Sequence, residues 1–127
     1  MILGFKPQFV EHILNGTKIH TIRIDQHNRW KKGNIIHFSA GVRTKKQKNF
    51  LISMCQSVQK IQMEFYKTEY NDTITIDNCR LTYDKLDRLA LNDGFKNYTE
   101  FRNWFINLKI PSDIIYGKII HWTGLKY

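Results

Sequence analysis

Apolar residues near the start of the chain recur first at helical spacing and then at strand spacing. The positions at helical spacing are Phe9, Ile13 and Leu14. Pro7 suits the first turn of a helix and Gly16 suits the position just after its end, so the pattern predicts a helix over 7–15. The short apolar segment 1–5 predicts a strand before this helix.

After Gly16 the chain changes to a run rich in β-branched residues, which predicts a second strand over 19–24. Side chains alternate along a strand, so Thr21 and Arg23 share one face if the isoleucines between them face inward. Lys18 lies in the turn just before this strand. These three side chains can therefore converge, and a hydroxyl beside cations suits phosphate, carboxylate or carbonyl chemistry.

The remaining apolar pattern predicts more strands, then two helices and a last strand. The predicted strands cover 35–40, 50–65, 73–77 and 116–122, with a short local pairing at 79–81. The predicted helices cover 83–91 and a segment capped by Asn97 and stopped by Pro111. A chain of 127 residues with this order fits one domain over 1–127. The predicted class is α+β, a small mixed β-barrel with flanking helices.

Charge narrows the classes of partner. Twenty Lys and Arg against eleven Asp and Glu give a formal charge of +9, which favours acidic partners such as nucleic acid. The cations concentrate in 29–32 and in 43–48, whereas acidic residues dominate 64–93. The alternative is that the basic segments are solvated loops that keep the protein in solution.

The sequence gives no sign of a membrane segment, a metal site or a cofactor. No stretch approaches the roughly eighteen apolar residues that a membrane span needs, and we expect a cytoplasmic monomer. Cys55 and Cys79 match no metal or redox spacing and are expected to be reduced. The five histidines show no paired spacing typical of zinc ligands, so neither a metal nor a cofactor is expected.

Four segments of the chain carry the motifs of a known family. They are 13–23, 32–38, 89–95 and 116–122. Together they resemble the ASCH domain, which belongs to the PUA-like superfamily of small β-barrels. The resemblance implies binding of RNA or of modified nucleotides, while some ASCH proteins act as amidohydrolases on acetylcytidine or as ribonucleases. A shared fold does not by itself decide between these activities.

The resemblance also implies site residues. In the acetylcytidine amidohydrolases that this chain resembles, a Lys and a Thr of a G-x-K-x-x-T-x-R motif act with a Glu from a later helical region. Lys18 and Thr21 match the first two, and Asp93 falls near the third with a side chain about one methylene shorter. An amidohydrolase would use Lys18 as base, Thr21 as nucleophile and Asp93 as acid, with Arg23 or backbone amides stabilising the oxyanion.

Two other expectations concern this motif. His20 should point away from Thr21 if the strand alternates regularly, so it is not expected to be the base. The alternative to catalysis is an ion pair between Lys18 and Asp93 that closes the barrel mouth and holds Arg23 toward a phosphate without reaction.

Candidate ligand-binding residues also lie outside the motif. The full predicted set is Arg23, Arg29, Trp30, Lys31, Lys32, Arg43, Lys45 and His121. The Trp30 indole would stack on a base while the cations beside it contact the backbone, or else it anchors its loop to the barrel. His121 either lines the pocket or is a hydrogen-bonded structural residue.

These residues favour an RNA- or nucleotide-binding domain, with an acetylcytidine-type amidohydrolase as the alternative and a ribonuclease after it. An enzyme predicts a deep pocket for one base, with Lys18 and Asp93 within reach of Thr21. A binding domain predicts an open groove continuous with 29–32. A protein-interaction module would instead expose an apolar patch and lack converging polar groups.

Overall fold

The computed structural model describes residues 1–127 and contains eight strands and three α-helices. The strands are β1 (Ile2–Phe5), β2 (His20–Arg23), β3 (Ile35–Ala40), β4 (Lys48–Met54), β5 (Ser57–Glu64), β6 (Thr73–Ile76), β7 (Cys79–Arg80) and β8 (Ile114–His121). The helices are α1 (Pro7–Leu14), α2 (Leu86–Asn92) and α3 (Tyr98–Asn107). Short 3-10 turns lie at Glu69–Asn71 and Tyr83–Lys85. This mixture confirms the predicted α+β class.

The strands form two sheets. The smaller has the order β1-β3-β4, with β1 parallel to β3, and the larger has the order β2-β8-β5-β6-β7 and is antiparallel throughout. Strand pairing does not join the two sheets into a closed barrel, so the structure supports a β-rich α+β domain without confirming the predicted barrel.

The single long strand predicted over 50–65 is wrong, because the chain changes sheets in its middle. β4 pairs with β3 in the smaller sheet, whereas β5 pairs with β8 and β6 in the larger one. The change occurs at the fully buried Cys55, whose backbone exchanges hydrogen bonds with Gly33 and Asn34. The next amide, that of Gln56, donates to the His121 carbonyl at 2.8 Å and starts the new pairing.

The helices agree with those that the sequence pattern predicts, except that α2 begins later than expected. α1 ends where Gly16 adopts a left-handed φ of 82°. Asn97 caps α3 as predicted, since its side chain accepts a hydrogen bond from the Glu100 amide at 3.0 Å. The segment predicted as a helix over 83–91 begins instead with a 3-10 turn, and α2 starts at Leu86.

One cluster of buried apolar residues lies between the sheets and the helices. Phe9 of α1 makes edge contacts with Phe95 and Trp104, at ring-centroid distances of 5.5 and 5.3 Å. These contacts connect α1 to the turn after α2 and to α3. The beginning of β2 and the end of α2 are thereby held beside each other, which is where the candidate site lies.

Candidate functional site

Backbone hydrogen bonds place the turn before β2 against the end of α2. The Lys18 amide donates to the His12 carbonyl at 2.9 Å, and the Ile19 amide donates to the Asn92 carbonyl at 2.9 Å. Asp93 follows as the C-terminal cap of α2. Two segments that lie far apart in the sequence therefore meet at the residues that the motif singled out.

Lys18 and Asp93 form a buried pair at this junction. The Lys18 Nζ atom lies 2.5 Å from the Asp93 backbone oxygen and 3.1 Å from its Oδ1 atom. Both residues are only 2% exposed. A charge this deeply buried needs a partner, and the carboxylate and the carbonyl supply two acceptors for the ammonium group.

His20 contacts the same Asp93 carboxylate as Lys18 does. Its Nδ1 atom lies 3.2 Å from Asp93 Oδ1, and its Nε2 atom lies 2.6 Å from the Tyr127 hydroxyl. The Asn92 side-chain amide donates to that hydroxyl oxygen at 2.8 Å, so the tyrosine proton is directed to His20 Nε2. The network then assigns the His20 proton to Nδ1, which donates to Asp93.

A cavity of about 280 Å³ opens on the other side of this pair. Lys18, Thr21, Arg23 and Asp93 all line it, so the structure brings together the four residues that the motif predicted. Its apolar wall includes Phe5, Phe9, Met63, Phe95, Trp104 and Phe105. His20 does not line this cavity, in agreement with the expectation that it points away from Thr21.

The motif cations Lys18 and Arg23 lie against aromatic rings of the cavity wall. The Lys18 Nζ atom lies 5.0 Å from the Phe9 ring centroid, and the Arg23 guanidinium carbon lies 5.1 Å from that of Phe5. Arg23 also donates from Nη2 to the Gly4 carbonyl at 2.5 Å. The hydrogen bonds of this cluster end on Asp93 and Gly4, which leaves the Thr21 hydroxyl free to contact a molecule in the cavity.

Burial changes the acid–base chemistry of Lys18. Removal from water lowers the pKa of its ammonium group, and the nearby Arg23 lowers it further, while Asp93 acts in the opposite direction. Burial likewise lowers the pKa of Arg23. The neutral amine that a general base requires is therefore easier to reach at Lys18 than at an exposed lysine.

The segment 29–32 does not contribute to the cavity. Arg29, Lys31 and Lys32 are exposed and lie outside its lining. Trp30 is only 8% exposed, and its amide donates to the Asp25 carboxylate at 2.9 Å. Little of the Trp30 indole is therefore accessible for stacking on a base, and its burial agrees with the alternative that it anchors the loop.

His121 is also not a cavity residue. It is fully buried, and its Nε2 atom lies 3.0 Å from the Gln59 side-chain oxygen, which agrees with the alternative of a hydrogen-bonded structural residue. Its Nδ1 atom has no hydrogen-bond partner. Burial, followed by the nearby His20 and Lys126, lowers the pKa of His121 to about 4.

The basic loop between β3 and β4 divides into two parts. Arg43 lines a shallow depression beside the cavity, together with Lys6 and Arg23. Lys45 is exposed and lines neither the cavity nor this depression. Of the two predicted contacts in this loop, the structure therefore places only Arg43 next to the candidate site.

Sequence reasoning missed three residues around the site. Lys6 lines the cavity, and its Nζ atom lies 5.0 Å from the Trp104 ring centroid. Tyr127 and Asn92 complete the network behind Asp93. Lys6 belongs to the basic excess but to no motif. Tyr127 is 107 positions from the histidine that it contacts, so no local pattern indicates the pairing.

Two wider observations complete the description. No three His, Cys, Asp or Glu side chains are grouped so that they could hold a metal ion. None of the helices combines the length and the apolar character that crossing a membrane requires.

Comparison with known proteins adds no assignment. No protein-family model, curated protein or solved structure shows significant similarity to this chain.

Proposed function

We propose that the cavity binds one nucleobase, presented by RNA, by a nucleotide or by a modified nucleoside. The observation that carries this proposal is the convergence of Lys18, Thr21, Arg23 and Asp93 on a single, largely apolar cavity of about 280 Å³. Ligand cavities commonly span roughly 300–1,000 Å³, and this one lies just below the lower end of that range, which suits a single small molecule or one base of a strand.

The wall and the polar groups of the cavity match the chemistry of a base. Aromatic rings such as Phe9 and Trp104 offer faces and edges to a planar heterocycle. Lys18 and Arg23 donate hydrogen bonds, the Thr21 hydroxyl donates or accepts, and the Asp93 carboxylate accepts from an exocyclic amine. A site with both donors and acceptors can recognise the polar edge of a base while its ring packs on apolar groups.

Membership of the ASCH family, and with it a PUA-like barrel, is part of this proposal. It is supported by the four sequence segments that resemble the family. It is supported further by the meeting of Lys18, Thr21 and Arg23 of the first segment with Asp93 of the third.

Binding can be measured by calorimetry with cytidine and N4-acetylcytidine. We expect Thr21→Val to weaken binding about 5- to 10-fold, because a hydroxyl that contacts the ligand is lost while its size is kept. Thr17→Val is the matched control, since Thr17 is exposed and lies outside the cavity. Failure of the unaltered protein to bind these nucleosides, and also their phosphorylated forms, at millimolar concentration would contradict the proposal.

A second candidate is hydrolysis of an acetamide carried by the base. The observation that favours it is that the buried Lys18, whose pKa is lowered, lines the same cavity as the Thr21 hydroxyl, which has no hydrogen-bond partner in the protein. Neutral Lys18 would take the Thr21 proton while the hydroxyl oxygen attacks the acetyl carbonyl. The C–N bond then breaks, the amine leaves with a proton, and water hydrolyses the acyl ester to acetate.

Release of cytidine and acetate from N4-acetylcytidine tests this candidate. We expect Lys18→Met to lower the rate about 100-fold or more, and Thr21→Ala to do the same with partial recovery in Thr21→Ser. Lys31→Met is the control for loss of a lysine outside the cavity. The rate should rise with pH, with a midpoint below the ordinary lysine value of 10.5.

Binding without turnover would instead favour the interpretation in which Lys18 and Asp93 act only as an ion pair. Their contact of 3.1 Å is compatible with that role as well. Turnover that survives both Lys18→Met and Thr21→Ala would rule out the proposed nucleophile and base.

A further inference from the structure

We propose that the depression formed by Lys6, Arg23 and Arg43 is a phosphate subsite for the nucleotide whose base occupies the cavity. The inference rests on the function proposed above and deepens it, because it makes a phosphorylated ligand, rather than a free nucleoside, the preferred one. The shared chemistry is a phosphate group, supplied either by a mononucleotide or by an RNA backbone.

The depression and the cavity form one continuous opening. Gly4, Phe5, Lys6 and Arg23 line both of them. Pro7 and the loop residues Gly41, Val42 and Arg43 complete the outer part. A ligand whose base enters between the aromatic rings therefore leaves its sugar and phosphate beside these cations.

The cations of the depression form no ion pairs with acidic side chains of the protein. Its lining contains three cations and no acidic residue. None of these cations takes part in any of the four ion pairs of the molecule, which involve Lys18, His20, Arg102 and Lys118. Cations that lack ion-pair partners and converge on one concave surface favour a ligand with a negative charge.

Arg23 and the backbone around the depression are held in place before a ligand arrives. Arg23 is fixed by the Gly4 carbonyl and the Phe5 ring. The loop that carries Arg43 packs closely on β1, because a Cβ atom at Gly4 would lie 2.7 Å from the Val42 side chain. Binding a phosphate therefore requires little reordering of the backbone around it.

The other basic segments do not reach this surface. The 29–32 cations and Lys45 line neither the depression nor the cavity. A nucleotide in the cavity should accordingly depend on Lys6 and Arg43 and be insensitive to lysines elsewhere in the same loop.

The experiment compares the affinities of cytidine, cytidine 5′-monophosphate and a short cytidine-containing oligoribonucleotide at several salt concentrations. We expect at least one phosphorylated ligand to bind the unaltered protein about 10-fold more tightly than cytidine does. Arg43→Gln should remove most of this gain and reduce the salt slope by about one. Lys6→Met should also weaken the phosphorylated ligand, and Arg43→Lys should restore part of the affinity lost in Arg43→Gln.

Lys46→Gln is the matched control, because it removes one charge from the same exposed loop but outside the depression. A gain for the monophosphate supports a terminal phosphate as the ligand, and a gain for the oligonucleotide alone supports a backbone phosphate. The subsite is overturned if cytidine binds and neither phosphorylated ligand binds more tightly than cytidine does. It is also overturned if the tighter binding of a phosphorylated ligand persists in Arg43→Gln. Both outcomes leave the proposed function intact. Absence of binding by all three ligands overturns the proposed function itself.

Discussion

Single residues at this site are defined by what surrounds them more than by their type. Lys18 and Lys45 have the same side chain, yet one is 2% exposed beside Asp93 and the other lies in a solvated loop. Burial lowers the pKa of the Lys18 ammonium group. The chemistry of the site therefore depends on the packing that excludes water from this one amine.

His121 leads to a prediction about stability and pH. Its Nε2–H group donates to Gln59, and its Nδ1 atom has no partner, so a proton added there would meet no acceptor. The pKa is about 4 in the folded protein against 6.5 as the ordinary value. Between these values the unfolded chain binds a proton that the folded chain does not, so stability falls as the pH falls.

We expect the free energy of unfolding to drop by about 2 to 3 kcal/mol from this histidine as the pH goes from about 6.5 to about 4. Urea unfolding at a series of pH values should show that the free energy of unfolding depends less steeply on pH in His121→Gln than in the unaltered protein. His27→Gln, at an exposed loop position, should follow the unaltered protein. If the free energy of unfolding changed with pH equally in His121→Gln and in the unaltered protein, His121 would not be the source of the pH dependence.

At the scale of elements, the ends of two helices shape the cavity. Gly16 follows α1 and Gly94 follows α2, with left-handed φ values of 82° and 91°. A Cβ atom at Gly16 meets nothing within 4 Å, whereas one at Gly94 lies 2.9 Å from Lys18 Cδ and 3.2 Å from Phe9. The two glycines share a backbone requirement, but only Gly94 leaves room for the site lysine.

This difference predicts unequal effects of the same substitution. Gly16→Ala should lower the free energy of unfolding by about 1 kcal/mol through backbone strain alone. Gly94→Ala should cause the same backbone strain and should also displace the Lys18 side chain. It should therefore weaken nucleoside binding as well as lower the free energy of unfolding. The measurements are urea unfolding and calorimetry on both variants, and equal binding by the two would show that Lys18 has room to move.

Local signals explain which elements the sequence predicts well. Pro7, Gly16 and Asn97 act within a few residues of themselves, so α1 and the start of α3 are predictable from nearby chemistry. The break at Cys55 is not, because the alternation continues on both sides and the change of partner depends on the distant Asn34 and His121. Strand assignment from a pattern says little about which sheet a strand joins.

For the molecule as a whole, the sequence indicated the residues of the site better than their surroundings. Lys18, Thr21 and Arg23 were close in the chain, and the family resemblance added Asp93, so their meeting in one cavity could be predicted. The burial of Trp30 and the contact between His20 and Tyr127 depend on long-range packing that no local pattern encodes. The role of Lys6 similarly follows from the fold.

The position of β8 has a consequence for synthesis of the protein. It follows every other strand in the sequence, yet it lies between β2 and β5 in the larger sheet. Until the ribosome has released residues 114–121, β2 has no strand partner and β5 has an open edge. The nascent chain must therefore keep the unpaired backbone edges of β2 and β5 from pairing with other chains until the insertion of one late strand joins them.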